Sequence, residues 1–119
     1  IRDMERQCAA AGRPFKLPDP FPQNGLTAAR VALVAIDQRW GPDFCRAVYT
    51  AEFVDGRAIS EKAVLAGILT GLGRDADAMF AAAEDPGNKA RLKAQTEEAL
   101  TLGLFGAPSF VTRDGELFW

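Results

Sequence analysis

Histidine is absent from the chain, which removes Ser-His-Asp and Cys-His nucleophilic catalysis, histidine metal sites and the side chain that ordinarily titrates near neutrality. Cysteine is scarce. Cys8 and Cys45 are too far apart for a CxxC redox motif or a zinc knuckle, and two thiols make no disulfide framework, so both are expected to be reduced packing residues. No run approaches the roughly 20 uninterrupted apolar residues of a membrane helix. The opening Ile1-Arg2-Asp3-Met4-Glu5-Arg6 is charged rather than signal-like, so a cytoplasmic location without a membrane partner is expected. A basic excess is missing too: 14 Lys and Arg stand against 16 Asp and Glu, which leaves no electrostatic footprint for nucleic acid. No pair of carboxylates has a spacing that argues for acid–base catalysis, and no metal site is expected.

What is present is an ordinary globular composition, 48% hydrophobic and 25% charged over 119 residues, enough for one domain and one core. Asp3–Ala11 reads as a helix stopped by Gly12. Pro14-Phe15-Lys16-Leu17 alternates like a brief strand before Pro18, Pro20 and Pro22 impose a rigid loop that presents Asn24. Leu26–Trp40 is the strongest helix, with Leu26, Ala29, Leu33, Ile36 and Trp40 on its core stripe. Gly41-Pro42 breaks it and opens a second helix to about Val54, with Phe44, Ala47, Val48 and Ala51 on one face. Ser60 is placed to cap a helix ending near Leu72, whose stripe is Leu65, Ile68, Leu69 and Leu72. Asp75 caps a short Ala76–Ala83 helix. Asp85-Pro86 starts a last long helix that pairs Lys93 with Glu97 outside and turns Leu92, Thr96, Ala99 and Leu102 inward.

The end of the chain combines a helix stop, a constrained bond and a hairpin. Gly103 and Gly106 allow the backbone to leave the helix. Asp114-Gly115 suits a two-residue turn between strands Ser109–Arg113 and Glu116–Trp119. Between them, Ala107-Pro108 leaves nearby backbone groups free for a ligand, because the proline has no N–H to give to a neighbouring strand.

The motif GLFGAPSF followed by GELFW resembles the glutathione-dependent 2-hydroxychromene-2-carboxylate isomerases, relatives of the DsbA-like oxidoreductases and the kappa-class glutathione transferases. The similarity extends to Asp3–Gly12, to Pro14–Asn24 with Leu26-Thr27-Ala28-Ala29-Arg30, and to Asp55-Gly56-Arg57-Ala58-Ile59-Ser60. It implies a helix-rich α/β thioredoxin-like domain over residues 1–119, with a helical insertion over about residues 26–85 as the second wall of a cleft. It also implies a fragment lacking an N-terminal strand and a C-terminal helix. An unpaired sheet edge offers backbone partners to a second copy, which leaves a homodimer open.

The resemblance further implies glutathione as cofactor and a small aromatic carboxylate as substrate. The proline at 108 is cis in that family. The backbone N–H and C=O before it pair with the cysteinyl part of glutathione, making Ala107 and Pro108 cofactor-binding residues. Phe118 and Trp119 fall at the hairpin exit that borders the γ-glutamyl end; either could instead pack across the sheet. The catalytic serine that holds the glutathione sulfur is expected upstream of Ile1. Asn24 is read first as a helix cap and second as a contact to glutathione or substrate. Arg30 could pair with a substrate carboxylate, although a solvent-facing role suits it better. Trp40, Phe44, Tyr49 and Phe53 fit a core more readily than an aromatic pocket. The activity implied is cis–trans isomerisation in aromatic breakdown. A kappa-like transferase, a disulfide oxidoreductase with CxxC upstream, and a non-catalytic helical binding domain are the alternatives.

Overall fold

A computed structural model describes residues 1–119. Six helices precede one hairpin: α1 (Arg2–Ala10), α2 (Leu26–Asp37), α3 (Gly41–Phe53), α4 (Lys62–Gly71), α5 (Ala76–Glu84) and α6 (Pro86–Thr101), then β1 (Phe110–Val111) and β2 (Leu117–Phe118). Local chemistry sets most of the boundaries. Gly12 leaves α1 at φ +64°, Pro42 lies in the first turn of α3, and Asp75 accepts from the Ala78 N–H at 3.0 Å. The Asp85 carboxylate accepts from the Gly87 N–H at 2.8 Å, satisfying donors that a helix start leaves free.

The core lies among α2, α3, α4 and α5. Phe44, Leu65, Leu69 and Val31 are its largest fully buried side chains, and the Trp40 ring meets Phe44 edge-on at 5.8 Å between centroids. The proline loop is fixed to α3 by rings: Phe53 stacks on Phe15 at 6.1 Å and on Tyr49 at 6.2 Å and meets Phe21 edge-on at 6.2 Å. Such ring pairs hold a loop that has no ladder of its own.

Five sequence expectations need correction. The α2 stripe is rotated: Ala28, Val31, Leu33 and Ala35 are buried while Leu26 and Ile36 are exposed, because a helix apolar nearly all round has no unique inward face. Pro14–Leu17 forms no strand. Its one backbone tie to α3 is Lys16 N–H to the Phe53 carbonyl at 2.6 Å, and no strand lies alongside to extend a ladder. Ser60 does not cap α4; Glu61 holds that position without a side-chain bond, and the Ser60 hydroxyl instead donates to Gln23 Oε1 at 2.7 Å. No residue of α6 is buried, and Thr96 and Leu102 face solvent. The hairpin strands are two residues each, joined through a longer loop than Asp114-Gly115 alone. Thr112 N–H donates to the Glu116 carbonyl, Gly115 N–H to the Thr112 carbonyl, both at 3.0 Å. Gly115 has φ +87°, giving a three-residue connection with a glycine in the left-handed region.

Two ion pairs tie α2 to the later helices. Arg91 grips both oxygens of Asp37, with Nη2 to Oδ1 at 3.0 Å, and Arg30 Nη1 donates to Glu84 Oε1 at 2.9 Å. The hydrogen bond from Arg91 holds the Asp37 carboxyl below the usual carboxylate range. Hydrogen bonds from Lys89 and Arg30 lower Glu84 in the same way. A carboxyl lowered by folding stabilises above its unfolded pKa and loses that contribution as pH falls through its folded value. Thermal melts of the Asp37→Asn/Glu84→Gln double variant are therefore expected to fall less steeply than wild type as pH drops below about 4; parallel curves would remove these pairs from the acid response.

Candidate functional site at the hairpin

The segment between α6 and β1 carries the candidate site. Gly103, at φ +76°, turns the chain out of α6, and Leu104 N–H returns to the Ala99 carbonyl at 3.0 Å. The Ala107-Pro108 peptide follows, and it is cis, as the family resemblance implied. Asp19-Pro20 and Phe21-Pro22 are cis as well. Both Ala107 and Pro108 are exposed. The N–H and C=O of Ala107 make no hydrogen bond within the chain, whereas the flanking Gly106 carbonyl accepts from the Ser109 hydroxyl. A donor and an acceptor on one residue are thus left facing outward, the pairing unit of a strand.

The aromatics of the hairpin frame this peptide. Trp119 packs on Phe105 at 5.2 Å between ring centroids and lies so close over Gly106 that a Cβ there would meet its indole nitrogen at 2.5 Å. A side chain at position 106 would push the Trp119 ring aside. Phe118 pairs across the hairpin with Phe110. Trp119 remains 74% exposed and Phe118 48%, and Trp119 is the ring that lies against the segment before the cis peptide. The Asp114 carboxyl at the hairpin tip is lowered by a hydrogen bond with Thr112, which serves the turn.

The two remaining sequence candidates are engaged in structure. Asn24 is not the cap residue expected of it: Gly25 holds that position without a side-chain bond, and Asn24 Oδ1 accepts from the Leu26 N–H at 3.0 Å from one residue earlier. Arg30 is held by Glu84, and its own carbonyl accepts from Asn88 Nδ2 at 3.0 Å. Its Nε is buried without a partner. The two cysteines are free and half-buried, no cluster of potential metal ligands is present, and no helix is long and apolar enough to cross a membrane.

Sequence reasoning missed Glu52. Only 7% exposed, it lines an apolar groove beneath the proline loop, and burial pushes its carboxyl up. Folding favours its protonated form, so its contribution to stability is present below the unfolded pKa and is lost as pH rises. The signal was available: Glu52 continues the buried Phe44 and Val48 stripe at a spacing of four.

A solved 2-hydroxychromene-2-carboxylate isomerase superposes with a TM-score of 0.85 at 21% identity, over 98% of this chain and 56% of that one. The chain thus spans about half the length of the solved isomerase, and the likeness establishes a shared fold. No curated protein sequence matches it. The model of the DsbA-like thioredoxin domain, by contrast, matches from residue 1 to residue 119. That match covers the whole chain, and this chain belongs to the DsbA-like thioredoxin domain family.

Proposed function

We propose that the protein is a glutathione-dependent isomerase of the 2-hydroxychromene-2-carboxylate type, acting on a small aromatic carboxylate in the cytoplasm. The observation that carries this reading is the unpaired N–H and C=O of Ala107 on an exposed edge. A tripeptide laid against that edge gains both bonds without displacing any bond of the chain, the main-chain logic of strand addition. Phe118 and Trp119 wall the edge and exclude water from the strand so added. Asn24 and Arg30, at the start of α2, are assigned to the substrate on the family resemblance alone.

Glutathione, when bound, would supply a thiolate nucleophile able to add reversibly to a conjugated double bond. The contribution of this chain is to position. Holding two reactants in register recovers roughly 7–11 kcal/mol of a bimolecular barrier, and a rigid backbone edge does so with little entropy left to lose.

The test is an assay of the full-length protein with glutathione and two substrate types, the hydroxychromene carboxylate and a simple electrophile such as 1-chloro-2,4-dinitrobenzene. Isomerisation with no net loss of glutathione is expected. Stoichiometric consumption of glutathione with the electrophile and no isomerisation would make the protein a transferase instead.

A further inference from the structure

A groove of about 300 Å³ opens between the proline loop, α2 and α3. Its walls are apolar, built from Ala28, Ala32, Phe44, Val48 and Ile59, and its volume sits at the small end of ligand pockets. One carboxylate side chain lines it. Glu52 is more than nine-tenths buried as a residue and makes no hydrogen bond or ion pair with any other residue, while its carboxylate oxygens keep access to the groove, because Arg30 Nε is the one fully enclosed side-chain polar atom without a partner. Gln23, which also lines the groove, donates to the Pro20 carbonyl and accepts from Ser60 through its oxygen, and makes no hydrogen bond with Glu52. Tyr49 and Cys45 complete the polar rim.

An unpartnered carboxyl in an apolar wall is costly to the fold, since a buried charge is tolerated only when paired. Burial of the side chain pushes the Glu52 carboxyl up. A position one turn beyond Val48 on the packed face of α3 would be filled more favourably by leucine. We propose that this groove binds a small apolar amine, its hydrocarbon body against Phe44, Val48 and Ile59 and its ammonium on the Glu52 carboxylate. An ionised carboxylate only accepts hydrogen bonds, an ammonium only donates them, and each supplies the other's missing partner. The groove lining includes no residue of the hairpin, so occupancy here is measured separately from glutathione binding.

Three probes of one shape test the assignment on the 119-residue chain: phenethylamine, 2-phenylethanol and phenylacetate, titrated with the amide resonances of Ala28, Val48 and Glu52 as readout. Phenethylamine is expected to saturate and to bind at least about ten-fold more tightly than the alcohol, the ratio one charged hydrogen bond provides. Glu52→Gln, of the same shape, should abolish that preference while leaving weak binding of the alcohol. Equal affinity for the three probes, a preference for phenylacetate, or no saturation by the amine would overturn the proposal. The wild-type comparison decides this alone if the variant fails to fold. In a folded Glu52→Gln variant, an undiminished amine preference would equally overturn it.

Discussion

Phe44→Ala is expected to remove about 3–5 kcal/mol of stability, the range measured for emptying a buried aromatic site. Phe44 is 1% exposed and stands where α3 meets the core, with Trp40 edge-on against it. Its loss strips packing from Trp40, Val48 and the groove wall together. The surroundings cannot collapse into the space, because Pro42 and the helix start hold the backbone there. Domains of this size carry about 5–15 kcal/mol in total, so the variant should be near its folding limit at room temperature. Urea titration followed by far-UV circular dichroism checks it: the midpoint should fall sharply with the slope unchanged. A loss below about 1 kcal/mol would mean that the core is not organised around this ring.

The second large effect is on ligand binding. Ala107→Pro deletes one N–H and leaves the fold's own hydrogen bonds intact, because that N–H has no partner within the chain. Loss of one peptide hydrogen bond at a site closed by ligand costs about 1–3 kcal/mol, so glutathione affinity should drop about five-fold or more. Ala107→Gly keeps the N–H and should bind as wild type does. Calorimetric titration of the three proteins reads the difference, with circular dichroism confirming that their helix content agrees. If the proline variant binds glutathione as tightly as the glycine variant, the Ala107 edge does not carry the tripeptide.

Helix positions were legible in the sequence because they are set by local chemistry. Asp75, Asp85, Pro42 and Gly12 act within a turn of themselves, and each stands where the periodicity placed it. Helix faces were less legible. In α2, Leu, Val, Ile and Ala occupy almost every side, so only the positions of α3 and α5 decide that Val31 and Ala35 go inward while Ile36 stays out. In α6 the few apolar residues mark a face that α2 and α5 cover only in part: Leu92 and Ala99 are half-buried while Leu100 is exposed. Long-range ties left no trace at all. Arg30 with Glu84, Arg91 with Asp37 and Ser60 with Gln23 join residues 37 to 54 positions apart, and any of dozens of charged or polar pairings would have looked equally plausible in sequence.

The candidate site was legible for a different reason. Its elements are consecutive, so Gly103, Gly106, Ala107, Pro108 and the Gly115 turn could be ordered without knowing the tertiary structure. The close approach of Trp119 to Gly106 was not visible, since it depends on the hairpin folding back by the register Phe110 to Phe118. Glu52 was hidden by habit: a glutamate in a helix is ordinarily solvated, and only its place on the Phe44 and Val48 stripe argued otherwise.

The measurement that bears most directly on glutathione recognition is an amide-resolved titration of the chain with reduced glutathione. Saturable shifts at Ala107, with smaller ones at Ser109, Phe118 and the Trp119 indole, are expected, together with slowed hydrogen exchange at the Ala107 N–H alone among the unpaired amides of the segment. Saturable shifts elsewhere with Ala107 unmoved, or no saturation at millimolar glutathione, would contradict a strand-like docking of the tripeptide at this edge.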